Sequence, residues 1–321
     1  GLGWTDFGNK DVIGGLSRQF YRDLGTHYGK EEEWAFEPGA ASTVIDRYVR
    51  DDGITVRFCQ YLDGVTMDGN RIVSVRMLGG LSITARFFVD ATYEGDLLAK
   101  AGVRFHVGRE DNQVYGETIN GVQVRGSHQF MRPTDPYIVP GEPTSGVLPW
   151  INQQDAARTG SGDTRIQAYN FRVCMTDDPD LIIPWEKPDG YDDLDYELAR
   201  RCFLGDDDDA NRHLADSEIP RANKFDIFPN LTAGGHHKTD TNNHGAVSSD
   251  FIGANHAWPD ADYDQREAIF QAHVSWQKGF YWFMANHPDL PDVIRKTYGH
   301  WGLARDEYPE TGHWPHQLYV R

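Results

Sequence analysis

The sequence has little cysteine, little positive charge and no long apolar run. Its three cysteines, Cys59, Cys174 and Cys202, lie far apart and form no CxxC pair. An odd, scattered set argues against a disulfide framework. It also falls short of a Cys-ligated iron–sulfur cluster. Lys and Arg number 31 against 49 Asp and Glu, a formal net charge of −18. Such a field repels phosphate backbones, which excludes nucleic acid as a natural partner. No stretch approaches the ~18 consecutive apolar residues of a membrane span. There is no HExxH and no GxSxG, so a zinc protease and a nucleophile elbow are excluded. No GxGxxG turn is present; Gly14-Gly15 has no strand before it and fails the structural test for that motif. The opening residues carry no signal-peptide pattern. The chain starts Gly1-Leu2-Gly3-Trp4 and stops at Tyr319-Val320-Arg321. Both ends read as cut, and the expectation is an internal piece of a longer protein.

What is present suits a folded chain of two modest domains. Hydrophobic residues make up 39% and charged residues 25% of 321 positions, enough for a packed core and against wholesale disorder. There are nine Trp and fifteen Tyr, and many of these rings sit in the last third beside polar residues. They suit either an aromatic core or a partly polar site. Asp206 to Asp209 is a charge run without the alternating ligands and turn glycine of a calcium loop, and reads as solvated.

Periodicity places the elements. Leu16 to Tyr28 and Ala41 to Arg50 have helical spacing, the second closed by Gly53. Ile54 to Leu62, Arg71 to Met77 and Leu81 to Val89 have strand character, separated by Asp63-Gly64, Asp68-Gly69 and Gly79-Gly80. They predict a β-meander. The third runs into Asp90-Ala91-Thr92-Tyr93-Glu94-Gly95-Asp96, and a short helix follows from Leu97 to Ala101. Residues 103 to 165, rich in Pro and Gly, read as loops. Gln167 to Thr176 alternates like a strand. Tyr191 to Phe203 reads as helix, 205 to 253 as polar loop, and Asp262 to Asn286 and Asp289 to Gly299 as helices. The fold class is therefore α/β, with an inserted antiparallel element.

The turn at Asp90 is the most informative feature. A strand that ends in small residues and opens a helix presents backbone N–H groups to an anion. Other readings of the residues stay open. Glu94 and Asp96 could form the carboxylate pair of a hydrolase or lyase. The polar, aromatic C-terminal half could be a non-catalytic module for carbohydrate or another polar ligand. His236, His237, His244 and His256 do not have metal-ligand spacing, and no metal site is expected.

The run FFVDATYEGDLLAKAGV, with VGRE and YGE after it, resembles the FAD-dependent oxidoreductase family with a DATYEGDL signature, distantly like the flavin subunit of heterodisulfide reductase. GLGWTDFGNKDVIGGLSRQFY, KTDTNNHGAVSSD, QKGFYWFMANHP and GHWPHQLYVR extend the resemblance over nearly the whole chain. It implies a two-dinucleotide-fold flavoprotein, here a partial Rossmann-like FAD-binding domain over residues 1–105 with an α+β substrate or cap domain over 106–321. It implies that Gly1, Leu2, Gly3, Trp4 and Thr5 approach the flavin ring and that Asp90, Ala91 and Thr92 lie near the FAD pyrophosphate. Val56 to Tyr61 would pass the adenine. The partner implied is a small-molecule substrate that gives a hydride to the flavin; the electron acceptor is not named by any motif. Such chemistry needs a base near neutrality, for which the residues offer His313, His316 and His244. Asp240, Asn242, Asn243 and Trp314 are the expected substrate contacts. Because the family's opening strand, GxGxxG turn and closing segment are missing from these residues, the polypeptide is expected to bind FAD weakly or not at all.

Overall fold

The computed structural model describes residues 3–4, 9–124, 130, 133–153, 157–204, 230–231, 237–240 and 246–320. The N-terminal layer is a helix pair. α1 (Gly15–His27) and α2 (Pro38–Asp51) meet through Leu24, Ala40 and Val44, ringed by Phe20, Tyr21, Phe36 and Tyr48. Pro38 opens α2 where its missing N–H costs nothing. Two short strands, β1 (Gly3–Trp4) and β2 (Ala35–Phe36), pair antiparallel beside them.

The meander follows as β3 (Leu62–Asp68), β4 (Arg71–Met77) and β5 (Ser82–Thr84), ordered β3-β4-β5 with antiparallel pairing. Register shifts between Leu62 and Gly64 and between Thr66 and Met67 bend its first strand. Tyr263 donates its hydroxyl to the Leu62 carbonyl at 3.1 Å and so docks the meander on the C-terminal half. The helix α3 (Asp96–Lys100) and the single turn α4 (Asn112–Tyr115) come next.

The second sheet has the order β7-β10-β6-β9-β8, from β6 (Cys174–Thr176), β7 (Ile182–Ile183), β8 (Asn230–Leu231), β9 (His237–Asp240) and β10 (Gly302–Ala304). Every ladder in it is antiparallel. Three helices pack with it: α5 (Glu197–Leu204), α6 (Tyr263–Asn286) and α7 (Asp292–Gly299). α6 starts at a capping box in which Asp262 and Gln265 satisfy each other's backbone N–H. Its Phe280, Tyr281, Phe283 and Met284 enter one aromatic core with Tyr169, Phe171, Trp185 and Tyr196. Gly279 is required there. A Cβ would overlap the Tyr196 hydroxyl, which donates to the Trp276 carbonyl at 2.9 Å. No helix among the described residues is long and apolar enough to cross a membrane.

The fold is α/β, as the sequence predicts, with one difference in the strands. Residues 54–60 and 85–90 have strand composition, but among the described residues they join no ladder. Gln167 to Thr176 likewise forms a ladder only from Cys174 onward. Propensity favours an extended backbone, but a ladder also needs a neighbour to receive its hydrogen bonds. Phe58, Phe87 and Val89 stand 81%, 84% and 84% exposed as a result. Apolar surface of this kind attracts other apolar surface. The polypeptide is therefore expected to bind a hydrophobic dye in its folded state, and the Phe87→Ser, Val89→Ser double variant to bind less. Equal dye fluorescence from both proteins would contradict this.

Candidate functional site

The turn from Asp90 to Asp96 is built by its own first residue. Asp90 Oδ1 accepts the Thr92 N–H at 3.1 Å and the Thr92 hydroxyl at 2.7 Å. Its Oδ2 accepts the N–H groups of Leu97 and Leu98 at 3.1 and 3.3 Å. Thr92 Oγ1 in turn accepts the Gly95 N–H. Burial opposes ionisation of Asp90, but these hydrogen bonds outweigh it and hold the carboxyl below its usual range. The sequence predicts free N–H donors at this helix end. The structure corrects that expectation: the chain supplies its own anion, and Asp90 caps α3 across the turn. At the far side of the turn, Asp96 is gripped by the Arg266 fork at 2.7 and 2.9 Å.

Tyr93, at the tip of the turn, lines a chamber of about 190 Å³ together with Arg172, Tyr308, His316, Gln317 and Tyr319. The Asp90 turn and the C-terminal His-Trp-Pro-His segment thus meet. His316 is exposed, with its ring edge-on to Tyr308 at 5.5 Å and Glu310 at 4.0 Å. His313 does not line this chamber. Its φ is +66° and its Nδ1 lies 3.1 Å from the Glu307 carbonyl, a bond that turns the ring inward. Trp314 is 3% exposed and packs edge-on to Phe171 in the aromatic core, which keeps it from any cavity surface described here. Asp240 sits in β9 opposite Cys174. Gly3 and Trp4 form β1, paired with Phe36 and Ala35. Gly1, Leu2, Thr5, Asn242, Asn243 and His244 lie outside the described residues, as does the Asp206 to Asp209 run.

A family model described as FAD dependent oxidoreductase matches residues 1–321. The chain belongs to this family. It is accordingly an oxidoreductase, and its cofactor is FAD. No curated protein and no solved structure matches it. Around the turn, the described residues do not by themselves fit the dinucleotide. A diphosphate needs unclaimed N–H donors, and Asp90 claims those of Leu97 and Leu98. The neighbouring chamber of about 190 Å³ also lies below the ~300 Å³ at which sites for drug-sized ligands begin.

A larger cavity, of about 740 Å³, opens elsewhere in this oxidoreductase, and sequence reasoning missed it. Trp150, Phe251 and Trp276 form its aromatic wall, and Asp195 and His256 contribute polar groups. Trp150 holds φ at +67°, a left-handed backbone that costs a bulky residue energy, and its indole N–H donates to Asp195 Oδ1 at 2.9 Å. Burial, then the nearby charge of Asp192, pushes the Asp195 carboxyl above its ordinary value. From the sequence, His256 enters only as a candidate metal ligand. Here its Nδ1 accepts the Ile166 N–H at 3.3 Å, so the neutral ring carries its proton on Nε2. Burial, then the Arg165 guanidinium, holds its pKa below the usual imidazole value. One sequence signal for the cavity existed: Pro149-Trp150, a large indole in a Pro- and Gly-rich segment with no helical or strand period to bury it.

Proposed function

We propose that the chain handles the substrate of an oxidoreductase in which FAD takes a hydride from a small polar organic molecule. In this reading the chain is of the group with the Asp90 to Leu97 signature, distantly like the flavin subunit of heterodisulfide reductase. Residues 1–105 go with the flavin and 106–321 with the substrate. Gly1 to Thr5 approach the flavin ring, and Asp90, Ala91 and Thr92 shape the turn beside it. His316 is the favoured proton acceptor, ahead of His313 and His244, and Asp240, Asn242 and Asn243 remain the proposed substrate contacts. The single observation that supports this most is the chamber shared by Tyr93 of the turn and His316. An imidazole suits the role because its ordinary pKa lies near neutrality.

The test is made on the natural protein that contains these residues. It is expected to release FAD on acid treatment in equimolar amount, and its flavin to bleach anaerobically with some member of a panel of small alcohols, polyols and amines. His316→Gln is expected to retain the FAD and slow bleaching by about 10²- to 10⁴-fold. His313→Gln is expected to stay within a few-fold of the parent. A His316→Gln protein that bleaches at the parental rate would remove the histidine assignment. Absence of bleaching with every compound would remove the substrate class.

A further inference from the structure

A second cavity, of about 210 Å³, shares Trp150, Asp195, Phe251 and Trp276 with the 740 Å³ cavity, so these four residues are a common wall. Tyr191, Tyr196 and Asp189 complete its character. The rings are ordered. Phe251 stacks on Trp276 at 4.6 Å, Trp276 on Tyr196 at 5.0 Å, and Tyr196 on Tyr191 at 5.1 Å. Trp150 stands edge-on to Phe251 at 4.7 Å and remains 56% exposed. No lysine or arginine lines the chamber.

The carboxylates give the chamber its sign. Among the described residues neither Asp189 nor Asp195 has a cationic partner; Asp195 has only the Trp150 N–H. Asp189 is exposed, but Asp195 is half-buried, and such a carboxylate without a counter-ion gives up hydration and regains little. A carboxylate or phosphate ligand would make this worse. An organic cation would relieve it, placing its charge against Asp195 and Asp189 and its carbon substituents against the rings. The same aromatic group already accepts one ammonium on its outside: Lys187 Nζ lies 4.5 Å from the Tyr191 ring centroid and 4.7 Å from that of Trp282. The overall charge of −18 favours the approach of cations as well.

We infer that this chamber binds the ammonium group of an organic amine, whose apolar body lies across Trp150 in the larger cavity. The inference concerns binding alone and does not depend on the flavin reading.

The test is calorimetric titration of the purified chain with benzylamine, alongside neutral benzyl alcohol. Benzylamine is expected to saturate one site and benzyl alcohol to bind at least about tenfold more weakly. Asp195→Asn is expected to weaken benzylamine by about tenfold or more. Asp52→Asn, an exposed acid at the end of α2, controls for general attraction to an acidic protein and is expected to leave the affinity unchanged. Asp195→Asn is not expected to unfold the protein. Burial already raises this carboxyl's pKa, so its ionised form disfavours the fold at neutral pH and the amide removes that disadvantage. Equal affinity for benzyl alcohol, equal losses in both variants, or no saturable benzylamine binding would each overturn the inference.

Discussion

Lys238→Met is expected to cost about 3–5 kcal/mol of folding stability, and to lower the melting temperature on the order of 10 °C. The Lys238 side chain is fully buried, with Nζ 2.6 Å from Glu37 Oε1, 2.6 Å from Asp306 Oδ2 and 3.4 Å from Glu307 Oε1. These three carboxylates lie close enough together to suggest a metal site, and the lysine ammonium is the cation among them. Two of them also hold something else. Glu37 accepts the Tyr28 hydroxyl at 2.8 Å, and Glu307 accepts the Gly39 N–H at 2.9 Å. The cluster therefore ties the N-terminal helix pair to β9 and to the segment after β10. Removing the ammonium leaves buried Glu307 and largely covered Glu37 facing each other and the more exposed Asp306 with no cation among them.

The pH dependence has a definite sign. In the parent, burial opposes the Lys238 charge, but bonds to Asp306 and Glu37 outweigh it and raise the pKa. A raised lysine pKa means its stabilisation is complete at neutral pH and is lost only as pH climbs past the ordinary lysine range. Glu307 is already raised by burial, with Lys238 pulling the other way. Without Lys238 that pull is gone. Carboxyls with raised folded pKa values weigh against the fold as pH rises through them, so the variant's deficit should shrink toward acid pH. Urea unfolding between about pH 5 and 8 reads the shrinking deficit. A deficit under about 1 kcal/mol at neutral pH, or one that grows toward acid, would show that the cluster is not what joins the two parts.

The same lysine marks where sequence reading stops. Lys238-Thr239-Asp240 has no apolar alternation and reads as an exposed polar run, yet Lys238 and Thr239 are 1% and 0% exposed in a central strand. What permits that burial comes from Glu37, Asp306 and Glu307, far away in the chain. Elements whose causes are local were legible. Alternation between two turn dipeptides gave β4 to the residue, and apolar spacing gave α6 to within one residue at its start. α2 begins three residues before the apolar period suggests, because Pro38 rather than a core residue starts it. The site followed the same rule. The resemblance pointed to the Asp90 turn and to His316 separately, but their meeting at one chamber depends on how the C-terminal segment folds back. The left-handed backbone of Trp150 has no signature in residue type, and only the placing of its indole after Pro149 hints at the two cavities it divides.

Arg266→Leu is expected to cost about 3 kcal/mol and, more specifically, to loosen the Asp90 turn. Arg266 is nearly buried and uses its whole fork. Nε donates to the Trp258 carbonyl and Nη2 to the Pro259 carbonyl, each at 3.1 Å, while Nη1 and Nη2 hold both oxygens of Asp96. Asp96 is the first residue of α3, so this pair fixes the helix that Asp90 caps. A helix of five residues cannot hold itself together in water. Its order must come from Asp90 at one side and Arg266 at the other. The expected readout is local: hydrogen exchange at the Leu97 and Leu98 amides accelerates by more than that at Phe280 in α6, which reports global opening. Arg266→Lys keeps the charge but not the fork, and should recover less than half of the loss. Pairing Arg266→Leu with Asp96→Asn should cost less than the two single losses added, by about 1 kcal/mol or more, if the two side chains act on each other. Tyr93 stands between Asp90 and Asp96, so the wall it gives to the His316 chamber is only as fixed as these two anchors. Unchanged exchange at Leu97 and Leu98 in Arg266→Leu would mean that Asp90 alone orders the turn, and that the link from α6 to the chamber carries no force.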